Sequence, residues 1–271
     1  MSPPPNELSE IARVVRRDVL TMVLEAGSGH IGGSLSAVDM LVVLYWDAMR
    51  VRPDDPGWDD RDRLVLSKAH AAPALYSTLA RRGFFDVREL MTFRKLKSIL
   101  QGFPDMHTTP GIDASVGSPG QGLSIANGVA MAAKRDGKNH RIYCLMGDGE
   151  AHEGQVWEAA MTAAHHKLDN VCAIIDRNKM MGDGNTEDIV ALSPLTDKWR
   201  TFNWHVIDID GHDHERLSAA FSEASSMTGR PTVILARTIK GKGVPFMEGR
   251  AEWHDRALTE DLYEEAMKAL A

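Results

Sequence analysis

Apolar positions follow two patterns along this chain. From Leu8 to Leu24 they recur at helical spacing, which predicts an amphipathic helix. Elsewhere they gather into short continuous runs. Those near 141–146, 171–176, 204–209 and 232–236 read as buried strands, the clearest being Ile142-Tyr143-Cys144-Leu145-Met146 and Val171-Cys172-Ala173-Ile174-Ile175. Helices are expected between them, near 153–167 and 214–226. Upstream, Arg63-Leu64-Val65-Leu66 reads as a short strand. Pro73 to Arg82 reads as a helix with proline in its first turn, and Leu123 to Lys134 as a helix of small residues. Gly27-Ser28-Gly29-His30-Ile31-Gly32-Gly33 breaks the first helix, and Ser36 is a plausible N-cap for a second that runs through Met49.

Strands alternating with helices predict an α/β fold, a parallel sheet with helices on both faces. A chain of 271 residues is long enough to bury a full core in one such unit. No internal repeat is evident. The expected organisation is a short disordered lead over residues 1–6 and a single domain over 7–271. The stretch from Ser98 to Gly122 is rich in Gly, Pro and Thr, and loops of that length are usually functional.

Composition narrows the function classes. A formal charge of −7 argues against an electrostatic nucleic-acid binder. No apolar run is expected to approach membrane-spanning length. The opening Met1-Ser2-Pro3-Pro4-Pro5 lacks a secretory apolar segment, so a cytoplasmic protein is expected. Cys144 and Cys172 both fall in strand-like runs. They are expected to be buried reduced thiols rather than a disulfide.

In parallel sheets, ligands bind beyond the carboxyl ends of strands. Gly147-Asp148-Gly149 follows one apolar run and Asn178 the next, thirty residues after Asp148, the length of one strand–helix–strand unit. The glycines permit close backbone approach to an anion. Asp148 and Asn178 offer the hard oxygens that Mg²⁺ takes, and Mg²⁺ usually shares few protein ligands with substrate phosphates. A Mg²⁺-bridged diphosphate is the natural ligand. The Gly-Asp-Gly turn alone would be an ordinary polar strand end. With the Asn after the next strand, and Glu153-Gly154 between, it is a ligand motif.

This pattern resembles the thiamine-diphosphate-binding motif, and the surrounding sequence is similar to the N-terminal half of transketolase. Three further segments carry the likeness: Glu25-Ala26-Gly27-Ser28-Gly29-His30, Arg61 to His70, and Gly117-Ser118-Pro119-Gly120-Gln121-Gly122. A fourth is Lys240-Gly241-Lys242-Gly243-Val244 with Trp253-His254 downstream. Each alone is a Gly-rich or basic loop. Together they cover residues 7–268. The resemblance implies thiamine diphosphate as cofactor, with Mg²⁺ (or Ca²⁺ or Mn²⁺) held by Asp148, Asn178 and the Met180 carbonyl. It implies that His30 lines the donor-sugar channel, and that His70 and His254 contact cofactor diphosphate and substrate. Gly117, Pro119, Gly147, Gly149 and Gly182 would border the cofactor. Glu153 matches a glutamate that couples the two active sites of the family dimer. Glu158 is as readily a solvated helix carboxylate.

Three positions depart from the family. Gly102-Phe103-Pro104 stands where transketolases usually read Gly-His-Pro, and that His binds the donor's terminal hydroxyl. Phe103 can neither donate nor accept, a loss of roughly 1–3 kcal/mol. His107 is a possible substitute. Pro119 replaces a usual Leu, and Gly182 a branched apolar residue.

The family also has a pyrimidine-binding domain, whose glutamate activates the cofactor, and a C-terminal domain. Neither follows residue 271. The expected protein is therefore the N-terminal subunit of a split transketolase, inactive alone. With a C-terminal partner in an α₂β₂ assembly, it would transfer a two-carbon ketol unit from a ketose to an aldose, the substrates being sugar phosphates or related compounds. The carbanion chemistry would belong to the cofactor. Three alternatives stay open. The same cofactor could serve a 2-oxo acid donor, which Phe103 and Gly182 would suit. The chain could be a non-catalytic binding subunit. A nicotinamide-binding Rossmann protein is weaker, since no G-x-G-x-x-G follows the first strand.

Overall fold

The computed structural model describes residues 3–271. Five parallel strands, β1 (Arg63–Leu66), β2 (Ile142–Gly147), β3 (Val171–Arg177), β4 (His205–Asp210) and β5 (Thr232–Arg237), form one sheet in the order β1-β2-β3-β5-β4. The order of β4 and β5 is exchanged relative to the chain, so connections cross from one face to the other. The helices are α1 (Pro5–Ala26), α2 (Ile31–Val43), α3 (Ala72–Arg82), α4 (Gly122–Arg135), α5 (Gly154–His165), α6 (Thr186–Ile189), α7 (Leu195–Thr201), α8 (His214–Ser226) and α9 (Glu260–Ala269).

Side chains alternate across the sheet and build two cores. Leu64, Leu66, Tyr143, Leu145, Cys172, Ile174 and Ile234 pack against α1, α2, α3 and α8. Val65, Cys144, Met146, Ala173, Ile175, Val233 and Leu235 pack against α4, α5 and α7. The fold is thus the expected parallel sheet covered on both faces. Cys144 and Cys172 are free and buried, and they belong to opposite cores.

Three local expectations need correction. α1 begins at Pro5, where proline's missing N–H costs nothing, so the helix takes in part of the expected disordered lead. Met1 and Ser2 lie outside the described residues. Second, α2 starts at Ile31, with His30 rather than Ser36 at its N-cap. Gly32 and Gly33 are helical because they pack too closely for a side chain. A Cβ on Gly32 would lie 2.7 Å from the Trp253 carbonyl oxygen. Ser36, inside the helix, hydrogen-bonds Asp176 at 2.6 Å. Third, Ile31–Ala48, which ends in a π turn over Leu44–Ala48, is long and apolar enough to cross a membrane. All of Ile31–Val43 is buried by the surrounding protein.

Candidate active site

The carboxyl ends of β1, β2, β3 and β5 open onto one cavity of about 260 Å³. Its lining includes Lys68, His70, Pro119, Asp148, Asn178, Gly182, Lys240 and His254, with Gly147, Gly149, Glu153 and Met180 also at its wall. Parallel pairing creates this convergence. Gly147 on β2 is level with Asp176 on β3, and Asp176 with Ala236 on β5, so all three strands end together.

At one side stand the expected metal ligands. Asp148 is 2% exposed. It accepts from the backbone N–H of Gly149 at 2.8 Å and of Lys179 at 2.6 Å, the second bond tying it to the loop that carries Asn178 and Met180. The Asn178 Oδ1 accepts from the Met180 N–H at 3.0 Å. Burial, and then the Asp176 carboxylate, push the Asp148 carboxyl up to about 6. A buried acid so raised is a site that gains from a cation. Among the described residues no three His, Cys, Asp or Glu side chains gather to hold a metal by themselves. Gly147 has no neighbour within 4 Å of where a Cβ would stand, so any side chain there would project into free space at the cavity wall.

His70 and His254 line the other side, and His30, itself outside the lining, packs against both. The ring centroids of His30 and His70 are 5.2 Å apart, those of His30 and His254 5.1 Å, and those of His70 and His254 5.2 Å. Burial is the main cause holding all three below the ordinary imidazole value, with Arg94 acting next on His30, Lys68 on His70 and Lys240 on His254, which falls to about 4. They are neutral at pH 7, able to donate from one ring nitrogen and accept at the other. The His30 Nδ1 is buried without a partner.

Residues not singled out from the sequence hold this arrangement. Lys68 and Asp176 form an ion pair at 2% and 0% side-chain exposure. Burial alone would raise the Asp176 carboxyl, but Lys68, with hydrogen bonds from Ser36 and Thr238, holds it below the usual carboxylate range. Lys68 also donates to the Gly33 carbonyl at 2.8 Å. Glu150 accepts from the N–H of Gly120 at 2.7 Å and of Gly147 at 3.0 Å, and from the Ser67 hydroxyl. It pins the Gly117–Gly122 loop to the end of β2. Gly120, at φ +86°, lets that loop fold onto Glu153. Lys240 donates to the Met181 carbonyl and meets the His254 Nδ1, both at 3.1 Å. Burial, then Lys68, lower its ammonium to about 8. A sequence signal existed for two of these: Asp176 is the charge that ends an apolar run, and Glu150 directly follows the Gly-Asp-Gly turn.

Other expected positions fall outside the cavity. Gly117 is exposed and does not line it. Phe103 is 47% exposed and also not in the lining, so the expected pocket wall is not formed within this chain. His107 lies in a separate groove with Arg61 and Thr108, because Asp105 holds its backbone N–H at 3.0 Å in a local turn. Glu158 lines another groove, between α4 and α5.

A parallel sheet covered on both faces, with a cavity holding a buried acid at its carboxyl edge, is the architecture of a ligand-binding α/β domain. The sequence profile of the transketolase thiamine diphosphate binding domain matches residues 7–271, and the chain belongs to the transketolase family. It is 46% identical over 264 residues to the 6-deoxy-6-sulfo-D-fructose transketolase subunit SqwG of Clostridium sp. (strain MSTE9), which covers 97% of this chain and 96% of that one. It is 42% identical over 256 residues to one of the subunits of the apulose-4-phosphate transketolase of Phocaeicola vulgatus, covering 94% and 91%. The crystal structure of transketolase from Campylobacter jejuni subsp. jejuni superposes with a TM-score of 0.93 at 34% identity, over 99% of this chain and 43% of that one. The chain therefore spans about two fifths of that solved transketolase. It is the cofactor-binding part of a transketolase-type transferase.

Proposed function

We propose that this chain is the N-terminal subunit of a split transketolase, completed by a C-terminal subunit with the pyrimidine-binding domain, two copies of each chain assembling together. The observation that carries this reading is the cavity itself, with the Asp148 and Asn178 oxygens at one side and His70 and His254, backed by His30, at the other. The relatives of matching length support it, since they are named as transketolase subunits.

Thiamine diphosphate, when bound, supplies the carbanion chemistry of two-carbon transfer. Asp148, Asn178 and the Met180 carbonyl would hold Mg²⁺ against its diphosphate, a cation suited to few protein oxygens plus phosphate. Lys240 and His254 face the same cavity and would donate to diphosphate oxygens. His30 and His70, neutral and mutually packed, would bind donor hydroxyls and exchange protons with them. The burial that, with nearby cations, keeps these imidazoles neutral also strengthens each hydrogen bond made there.

The donor we infer is a ketose with an anionic end, as in the sulfo- and phospho-sugars named for the two relatives. The 2-oxo acid alternative rests partly on Phe103 as a pocket wall, and Phe103 is outside the cavity lining. Expression in the cytoplasm fits two buried free thiols. The test is reconstitution. The chain mixed with a C-terminal transketolase subunit should transfer a ketol unit, and neither chain should do so alone. Robust transfer by this chain alone would refute the split assembly.

A further inference from the structure

A second histidine system lies behind the cavity. Asp39, on α2, is 3% exposed and meets four donors. The Arg16 guanidinium reaches it at 2.5 and 3.2 Å, the His212 Nδ1 at 2.6 Å and the His214 Nε2 at 2.9 Å. The two histidines differ in what their other nitrogen touches. His214 Nδ1 faces the Ser9 hydroxyl at 3.3 Å, near the start of α1. His212 Nε2 accepts from the backbone N–H of Ile239 at 2.9 Å. An accepting Nε2 carries no proton, so His212 is the neutral Nδ1–H tautomer, with Asp39 as its acceptor.

Ile239 immediately precedes Lys240. On the other side of the lysine, the Gly241 N–H donates to the Gly32 carbonyl at 3.0 Å. Both braces return to α2, through Asp39 and through Gly32. His30 stands at the N-cap of the same helix. Gly211 makes the brace possible: a Cβ there would lie 2.6 Å from the Thr238 side chain and 2.9 Å from Ala236. Any other residue would push the His212 turn away from the end of β5.

We infer that His212 is a positioning residue for the Lys240 segment, transmitting the placement of α2 through Asp39 to the lysine ammonium that lines the cavity. It does not touch the cavity. Its role is to hold the Lys240–His254 side of the site in register with His30 and His70. This inference rests on the proposed cofactor role only for its effect on binding; the bracing is a property of the chain alone.

The test compares His212→Ala and His212→Gln with His214→Ala, which removes an Asp39 partner of the same kind but no bond to residues 238–241. Amide hydrogen exchange on the purified chain reads the brace without cofactor. In His212→Ala, peptides over 237–243 should exchange about ten-fold faster while those over β3 and the start of β5 hold their protection. His214→Ala should leave 237–243 unchanged. In the complex with the C-terminal subunit, His212→Ala should weaken thiamine diphosphate binding about ten-fold by calorimetry, and His214→Ala should not. Should the alanine variant fail to fold, His212→Gln is read against His214→Ala in the same way. Unchanged protection of 237–243 in the His212 variant, or equal loss in the His214 variant, overturns the inference. Absence of cofactor binding by the wild-type pair would instead overturn the proposed function and leave the exchange result to decide the brace.

Discussion

Lys240 Nζ stands 3.1 Å from Nδ1 of His254, inside the cavity wall. A charged lysine only donates, so Nδ1 accepts and the proton of the neutral imidazole sits on Nε2. The lysine therefore selects the tautomer that offers His254 as a donor from its other nitrogen.

Replacing that lysine should be visible in a titration. Burial is the larger cause of the His254 value of about 4, and Lys240 the next. In Lys240→Met the His254 pKa should rise part of the way toward its ordinary value, as read by NMR of the ring. Since His30, His70 and His254 all lie low, the unfolded chain binds protons that the folded chain refuses. Their contribution to stability should be lost as pH falls below the ordinary imidazole value, that of His254 by about 4, and His254→Asn should flatten that slope. A wild-type His254 titrating at the ordinary value would contradict this reading.

The pair beneath the site should be costly to break. Lys68→Met leaves the Asp176 carboxylate buried with hydroxyl donors but no cation. Removing one partner of a buried ion pair typically destabilises by about 3–5 kcal/mol. Chemical denaturation of the isolated chain should show a loss in that range. A loss under about 1 kcal/mol would mean that the hydroxyl groups suffice.

Phe103 tests donor choice apart from stability. It is half exposed in this chain, so Phe103→His should change stability by less than about 0.5 kcal/mol. If the partner subunit closes over this loop, the new imidazole restores a hydrogen bond to a donor hydroxyl. The kcat/KM for a standard ketose phosphate, relative to the natural donor, should then rise about five-fold. An unchanged ratio, with efficient wild-type use of that ketose phosphate, would show that position 103 does not set the donor.

The strands of this fold are plain in the sequence because strands buried on both faces are nearly unbroken apolar runs, as in Val171–Ile175. The start of α2 is not. Gly32 and Gly33 read locally as helix breakers, and only the approach of Trp253 and His70 shows why small residues are needed inside a helix. Asp148, Asn178, His70 and His254 are legible as candidates because each stands in a segment that resembles the family's motifs, the first three just past the end of a strand. Their supports are harder to find. Lys68 and Asp176 meet across 108 residues, and His212 meets Asp39 across 173. Such pairings follow from the order of strands in the sheet, which no local pattern specifies. Phe103 and His107 lie in the long irregular stretch before α4, where periodicity gives no guide to facing.

Whether Asp148 anchors a cation that holds a diphosphate in this cavity is tested most directly by calorimetry of thiamine diphosphate binding to the reconstituted pair. Binding by the wild type should require Mg²⁺ and vanish with a chelator. Asp148→Ala removes one of few protein oxygens available to that cation, and should weaken binding by about a hundred-fold or more. Equal affinity in wild type and Asp148→Ala, or binding indifferent to Mg²⁺, would contradict that role.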